Sequence, residues 1–127
     1  MSTSKHADTV KPFLDRIQEG VVVCDGAMGT MLYARGIFVN RCFDELNVSS
    51  PQLVRQVHEE YLDAGADVVE TNTFGAHRLK LAPHGYEAQV VKINREGARL
   101  AREAAQGRGL VAGSIGCLLY TSDAADD

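Results

Sequence analysis

The stretch VVVCDGAMGT, residues 21–30, decides the fold of this chain of 127 residues. Its first four residues form an unbroken apolar run that is rich in β-branched side chains and too short for a helix, which is typical of a strand buried on both faces. Cys24 is therefore predicted to be a small core residue. The run stops at Asp25 and Gly26, where a segment of small residues begins. Continuous apolar strands of this kind belong to parallel sheets.

The same pattern recurs in residues 66–71 and 110–115, two further apolar runs that also end in small and polar residues. A helix is predicted between the first and second runs. Ser50 and Pro51 form a good N-cap and first turn, and apolar residues then repeat at helical spacing until Gly65. Small and polar residues of the kind found in turns therefore follow each apolar run.

A long helix with one apolar face is predicted over about residues 87–108, and a short amphipathic helix over residues 11–17 is expected to cover the end of the sheet. Strands and helices therefore alternate along the chain. This order predicts an α/β fold with a parallel sheet and right-handed crossovers, either an open doubly wound sheet or a (β/α)8 barrel.

Composition excludes several classes of protein. The chain carries 13 basic and 17 acidic residues with the basic residues scattered, so no nucleic-acid surface is indicated. Its apolar runs are far shorter than the roughly 18 residues that cross a bilayer, and no secretory signal is visible. The three cysteines form no CxxC pair, which favours reduced thiols and a cytoplasmic location.

The last residues, 117–127, read CLLYTSDAADD and follow neither helical nor strand logic. This string resembles the translation of a sequencing adaptor read through in frame, although a native acidic tail is the alternative. We expect residues 1–116 to be the front part of a longer protein and residues 117–127 to be non-native.

Asp25 is the first candidate for a functional residue, since an acid at the end of a buried strand is costly to desolvate without a partner. A substrate ammonium group would serve as that partner. The backbone N–H groups of Gly26, Ala27 and the residues up to Gly29 could accept a carboxylate, so the segment would suit an α-amino acid. The alternative is that Asp25 and Gly26 are only a turn and an N-cap.

Thr71 and Thr73 alternate at the end of the second predicted strand and should point to a common side, with Asn72 facing the other way. One pair could hydrogen-bond a ligand, although threonines on strands are ordinary structural residues. The histidines have no spacing typical of a metal site, and the second of them is expected on a helix surface. They are His6, His58, His77 and His84.

Several motifs together resemble one enzyme family. They are DGAMGT at residues 25–30, NVSSP at 47–51, HEEY at 58–61, ETNTFGA at 70–76 and AGSIG at 112–116. These residues resemble the homocysteine S-methyltransferase domain, and most of all the branch that contains cobalamin-dependent methionine synthase and the bifunctional homocysteine methyltransferase/methylenetetrahydrofolate reductase. The resemblance covers about residues 11–116.

The resemblance implies the N-terminal part, about three βα units, of a (β/α)8 barrel that binds homocysteine at its C-terminal face. It also implies zinc-dependent transfer of a methyl group to the homocysteine thiolate, which gives methionine. The methyl donor, whether methyltetrahydrofolate, methylcobalamin or another compound, is not indicated. The residues expected to bind substrate are Asp25, Gly26, Ala27, Thr71, Asn72 and Thr73.

The family's zinc cysteines lie on late strands, in part within a Gly-Gly-Cys-Cys-Gly motif that is absent from these 127 residues. Cys24, Cys42 and Cys117 do not match those positions, and Cys117 stands where the family has proline. We therefore expect no metal ligand here and an inactive fragment. The alternative from a different class is a complete small α/β domain that binds a ligand or an anion without catalysis.

Overall fold

A computed structural model describes residues 10–117. Its helices and strands follow the predicted order, and two short 3-10 helices, Ala82–His84 and Glu87–Gln89, precede the last long helix. The elements are α1 (Phe13–Glu19), α2 (Gly29–Tyr33), α3 (Leu46–Ser49), α4 (Pro51–Asp63), β1 (Val68–Glu70), α5 (Arg78–Leu81), α6 (Val90–Ala105) and β2 (Leu110–Ala112).

The sheet is parallel, as predicted. Strand β1 pairs with β2, with Val68 opposite Leu110. Segment 21–25 lies along the other edge of β1, where the Asp25 N–H donates to the Val68 carbonyl at 2.9 Å and the Val68 N–H donates to the Val23 carbonyl at 3.1 Å. Because helices connect these three parallel segments, the α/β class predicted from the sequence is confirmed.

The predicted burial of the first strand is wrong for the described residues. Segment 21–25 forms only one bridge, between Cys24 and Val68. Val21 is 90% exposed, and Cys24, expected in the core, is exposed as well. A strand that is apolar on both faces is buried only when other parts of the protein cover both of them. Within residues 10–117, β1 pairs with one edge of this segment, and little of the chain covers its two faces.

Helix α4 begins at Pro51, directly after Ser50, as the sequence predicts. The Ser50 side chain, however, makes no capping hydrogen bond. The helix ends before Gly65, whose φ of +109° is the left-handed conformation that glycine adopts without strain. Its apolar stripe packs against α6, so the long helices and the strands share one core.

Two clusters of that core contain residues of α4. The first joins α2, α3, α4 and α6, and the second fastens α4 and α6 to β1. Gly97 lets α6 lie close to the residues after β1, because a Cβ atom there would lie 2.6 Å from the Thr73 methyl carbon. The buried residues are Leu32, Leu46, Val54, Val57 and Leu100 in the first cluster, and Leu62, Val69, Ala101, Ala104 and Ala105 in the second.

Two predictions about helical surfaces are corrected. His58, expected on the surface of α4, is fully buried, and neither ring nitrogen has a hydrogen-bond partner in the described part of the chain. Helix α1, expected to cover the sheet end with an apolar face, has no buried residue. It is held instead by polar contacts, since Arg16 pairs with Asp67 and the other Asp67 oxygen accepts the Val23 N–H at 3.0 Å.

No helix within residues 10–117 is long and apolar enough to cross a membrane. Of the tail predicted to be non-native, only Cys117 belongs to the described part, and residues 118–127 lie outside it.

Candidate functional site

Asp25 occupies the carboxyl end of segment 21–25, and its two carboxyl oxygens differ. One oxygen, Oδ2, accepts the Glu70 N–H at 3.1 Å. The other, Oδ1, is buried and has no hydrogen-bond partner among the described residues. Burial raises the pKa of the Asp25 carboxyl, and the nearby Glu70 charge raises it further, against the lowering effect of the Glu70 N–H. A cation placed beside Oδ1 would reverse this penalty.

The residues after Asp25 leave backbone donors open. The N–H groups of Gly26 and Ala27 donate to no backbone acceptor within residues 10–117. Both residues are exposed, and they precede α2. Open amides next to an acid with a free oxygen are complementary to a carboxylate and an ammonium group on one small molecule.

Tyr61 holds this segment in place, a role that was not predicted from the sequence because helical spacing alone explains Tyr61 as a packing position. Its hydroxyl donates to the Ala27 carbonyl at 2.6 Å. A Cβ atom at Gly26 would lie 3.0 Å from the Tyr61 oxygen, so the glycine permits this close approach. Desolvation and then the Asp25 charge raise the pKa of Tyr61, so the phenol keeps its proton.

Thr71 and Thr73 meet on one side, as their alternation predicts, with hydroxyl oxygens 2.6 Å apart. The Thr73 hydroxyl donates to the Ser114 carbonyl at 2.7 Å, and the Ser114 N–H donates to the Thr71 oxygen at 2.9 Å. Because the Thr73 proton is used on Ser114, the Thr71 hydroxyl is the donor in the bond between the threonines. The pair thus ties the end of β1 to the residues after β2.

The Asn72 side chain faces the helical layer. It donates to the Phe43 carbonyl at 2.9 Å and to Asn47 Oδ1 at 3.0 Å. Asn47 in turn donates to the Asn72 carbonyl at 2.8 Å and to the Ile93 carbonyl at 3.2 Å. Both amide hydrogens of Asn72 are therefore used inside the scaffold, and Asn47 is a buried support that was not singled out from the sequence.

The described residues do not fit the metal that the family resemblance implies. No group of three or more His, Cys, Asp or Glu side chains capable of holding an ion lies within residues 10–117. Cys24 and Cys117 are exposed, and burial raises the pKa of the Cys42 thiol, which favours the protonated form rather than the thiolate that zinc binds.

Comparison with known proteins decides the family. The family profile described as homocysteine S-methyltransferase matches residues 22–125. This chain belongs to the homocysteine S-methyltransferase family. The resemblance inferred from the sequence motifs is therefore confirmed.

The chain is similar to the methionine synthase of Mycobacterium tuberculosis, with 35% identity over 98 residues. The crystal structure of the homocysteine methyltransferase MmuM from Escherichia coli in its metallated form matches with a TM-score of 0.73 and 30% identity. The oxidized form of MmuM matches with a TM-score of 0.69 and 32% identity.

The chain spans only part of these relatives. The methionine synthase alignment covers 72% of this chain and 8% of that protein. The MmuM alignment covers 91% of this chain and 45% of the metallated structure, and 85% and 40% for the oxidized form. The similarity therefore places this chain against less than half of a homocysteine methyltransferase.

Proposed function

We propose that this chain forms the amino-acid-binding part of a homocysteine S-methyltransferase site, in which Asp25 binds the substrate ammonium group. The observation that carries the proposal is the buried Asp25 Oδ1, which has no partner among the described residues. A buried acceptor without a donor costs about 1–3 kcal/mol, and an ammonium group would recover that cost. Family membership supports homocysteine as the amino acid.

The carboxylate end of homocysteine is assigned to the open N–H groups of Gly26 and Ala27. Tyr61 keeps these amides in place through its bond to the Ala27 carbonyl. The same end of the sheet is bordered by Thr71, Thr73 and the Asn72 backbone. Their hydrogen bonds with Ser114 and Asn47 hold this border of the site in place. With its ammonium group on Asp25 and its carboxylate on the Gly26 and Ala27 amides, homocysteine has its thiol free to face away from Asp25.

We place the chain in the N-terminal part of a (β/α)8 barrel, residues 1–116, and treat residues 117–127 as non-native sequence. The parallel order of segment 21–25, β1 and β2 supports this placement. For the whole enzyme we propose zinc-dependent methyl transfer from a methyl donor to homocysteine in the cytoplasm. No residue described here is assigned to the metal, so we expect the chain alone to transfer no methyl group.

Titration calorimetry with L-homocysteine tests the assignment on this chain, with Asp25→Asn as the variant. The loss of one charge-assisted hydrogen bond should weaken binding by about tenfold or more. Asp15→Asn, an acid on α1, is the matched control and should bind as the unchanged chain does. The uncharged thiol 1-propanethiol should bind far more weakly than homocysteine. Equal affinity of the Asp25→Asn variant for homocysteine would remove Asp25 from the site.

A further inference from the structure

Glu70 is the last residue of β1 and carries a charge that no cation of the described chain balances. Its N–H donates to Asp25 Oδ2 at 3.1 Å, so the two acids are neighbours at the carboxyl ends of adjacent strand segments. The Glu70 side chain is exposed and forms no ion pair within residues 10–117. By contrast, Glu60 and Asp67 are each paired with an arginine. Neighbouring carboxylates repel each other unless a cation joins them.

The alternation of β1 places the Glu70 side chain on the face of the sheet that the long helices leave open. Val69, the preceding residue, is fully buried in the second core cluster with residues of α4 and α6. Successive side chains of a strand point to opposite faces, so Glu70 points away from these helices. The residue opposite Glu70 in β2 is Ala112, which is small and uncharged. A ligand can therefore approach the Glu70 carboxylate from the open face.

An ammonium group bound to Asp25 needs more than one acceptor. It has three N–H donors, and Asp25 Oδ1 accepts one of them in the proposed function. The hydroxyl groups of Thr71 and Thr73 are already engaged, because each donates and accepts a hydrogen bond within the network that includes Ser114. Glu70 is therefore the negatively charged acceptor beside Asp25 that the described scaffold leaves unused.

We propose that Glu70 is a specificity-determining residue of the amino-acid site, whose carboxylate accepts a second hydrogen bond from the ammonium group bound to Asp25. This inference rests on the proposed function and adds a requirement to it. The site selects amino acids whose amino group is free and protonated, and it rejects those whose nitrogen is acylated. An acylated nitrogen has one N–H and no charge, so it would leave the two carboxylates uncompensated.

The test is titration calorimetry of the whole chain with L-homocysteine and the variant Glu70→Gln, which keeps the size of the side chain and removes its charge. The affinity should fall about threefold to tenfold, because a charge-assisted hydrogen bond is lost. Glu87→Gln is the matched control, since Glu87 is also exposed and not ion-paired within the described residues. It should change the affinity by less than about twofold. N-acetyl-L-homocysteine should bind weakly, and to the same extent with and without the Glu70 charge.

A second measurement separates contact with the substrate from an effect that acts through Asp25. Desolvation raises the pKa of the Asp25 carboxyl most, and the Glu70 charge raises it as well. Carboxyl NMR titration of the free chain should therefore give a lower Asp25 pKa in Glu70→Gln than in the unchanged chain. That change favours the Asp25 carboxylate and by itself would strengthen the binding of an ammonium group. A loss of homocysteine affinity in Glu70→Gln must then come from Glu70 itself.

Homocysteine affinity that is unchanged or higher in Glu70→Gln would overturn the proposal. An equal loss in Glu87→Gln would also overturn it, because the effect would then be one of overall charge, and so would N-acetyl-L-homocysteine binding as tightly as homocysteine. Asp25→Asn separates this inference from the proposed function. If Asp25→Asn weakens homocysteine binding and Glu70→Gln does not, Glu70 is removed from the site and Asp25 remains the ammonium ligand.

Discussion

Acid should destabilise this chain through His58, whose ring is fully buried and whose nitrogens have no partner in the described residues. Desolvation lowers the pKa of His58 to about 4 from an ordinary value of 6.5. The folded state therefore resists protonation, whereas the unfolded chain takes up a proton as the pH falls through 6.5. Stability is lost between pH 6.5 and about 4, and the loss ends once both states are protonated.

The size of the loss follows from the difference in pKa. With about 1.4 kcal/mol for each pKa unit, the His58 contribution falls by about 3 kcal/mol between pH 7.5 and pH 4. Such a loss is a large fraction of the stability of a small domain. Asp25 and Asp44 act in the opposite direction, because their raised pKa values favour the folded state as they become protonated.

A His58→Leu variant isolates the histidine from these carboxylates. Leucine has a similar volume and removes two buried unpartnered nitrogens, so the variant should be at least as stable as the unchanged chain at pH 7.5. Urea unfolding of both proteins at pH 7.5, 6, 5 and 4 measures the difference. The gap in unfolding free energy should widen by about 3 kcal/mol in favour of leucine as the pH falls. Parallel pH profiles would refute the reasoning.

Three further predictions concern the scaffold. Gly97→Ala should lower the unfolding free energy by about 1–3 kcal/mol, because its methyl group meets Thr73 at 2.6 Å, and an unchanged urea midpoint would contradict this. Tyr61→Phe should weaken homocysteine binding several-fold with little change in melting temperature, since it frees the Ala27 carbonyl; equal affinity would assign Tyr61 a packing role only. Asp67→Asn should weaken the ion pair through which Asp67 holds Arg16 of α1, which limited proteolysis would detect as faster cleavage within residues 13–19, and unchanged cleavage would count against this tether.

Local pattern predicted most of the elements. Helices α4 and α6 have apolar residues at helical spacing and clear end signals, so their position and buried faces follow from residues 50–65 and 87–108. His58 could have been placed correctly by the same rule, since it lies four residues from both Val54 and Leu62 on the buried stripe. His58 was expected on the surface because its side chain is polar, although its position places it on the buried stripe.

Tertiary contacts explain what the pattern could not reveal. The burial of segment 21–25 depends on cover from both faces, which no property of its own residues guarantees. Asp25 and Thr71 could be predicted as site residues because parallel strands gather their carboxyl ends at one edge. The role of Asn47, however, depends on three carbonyl and amide groups distant in sequence, which only the fold brings together.

The central claim is that Asp25 binds the ammonium group of the amino acid, and the pKa of Asp25 tests it most directly. Carboxyl NMR titration of the chain, with and without saturating L-homocysteine, measures that pKa. A cation beside Oδ1 stabilises the carboxylate, so homocysteine should lower the raised pKa, whereas 3-mercaptopropionate, which lacks the ammonium group, should not. An Asp25 pKa that stays the same when homocysteine is bound would contradict the account.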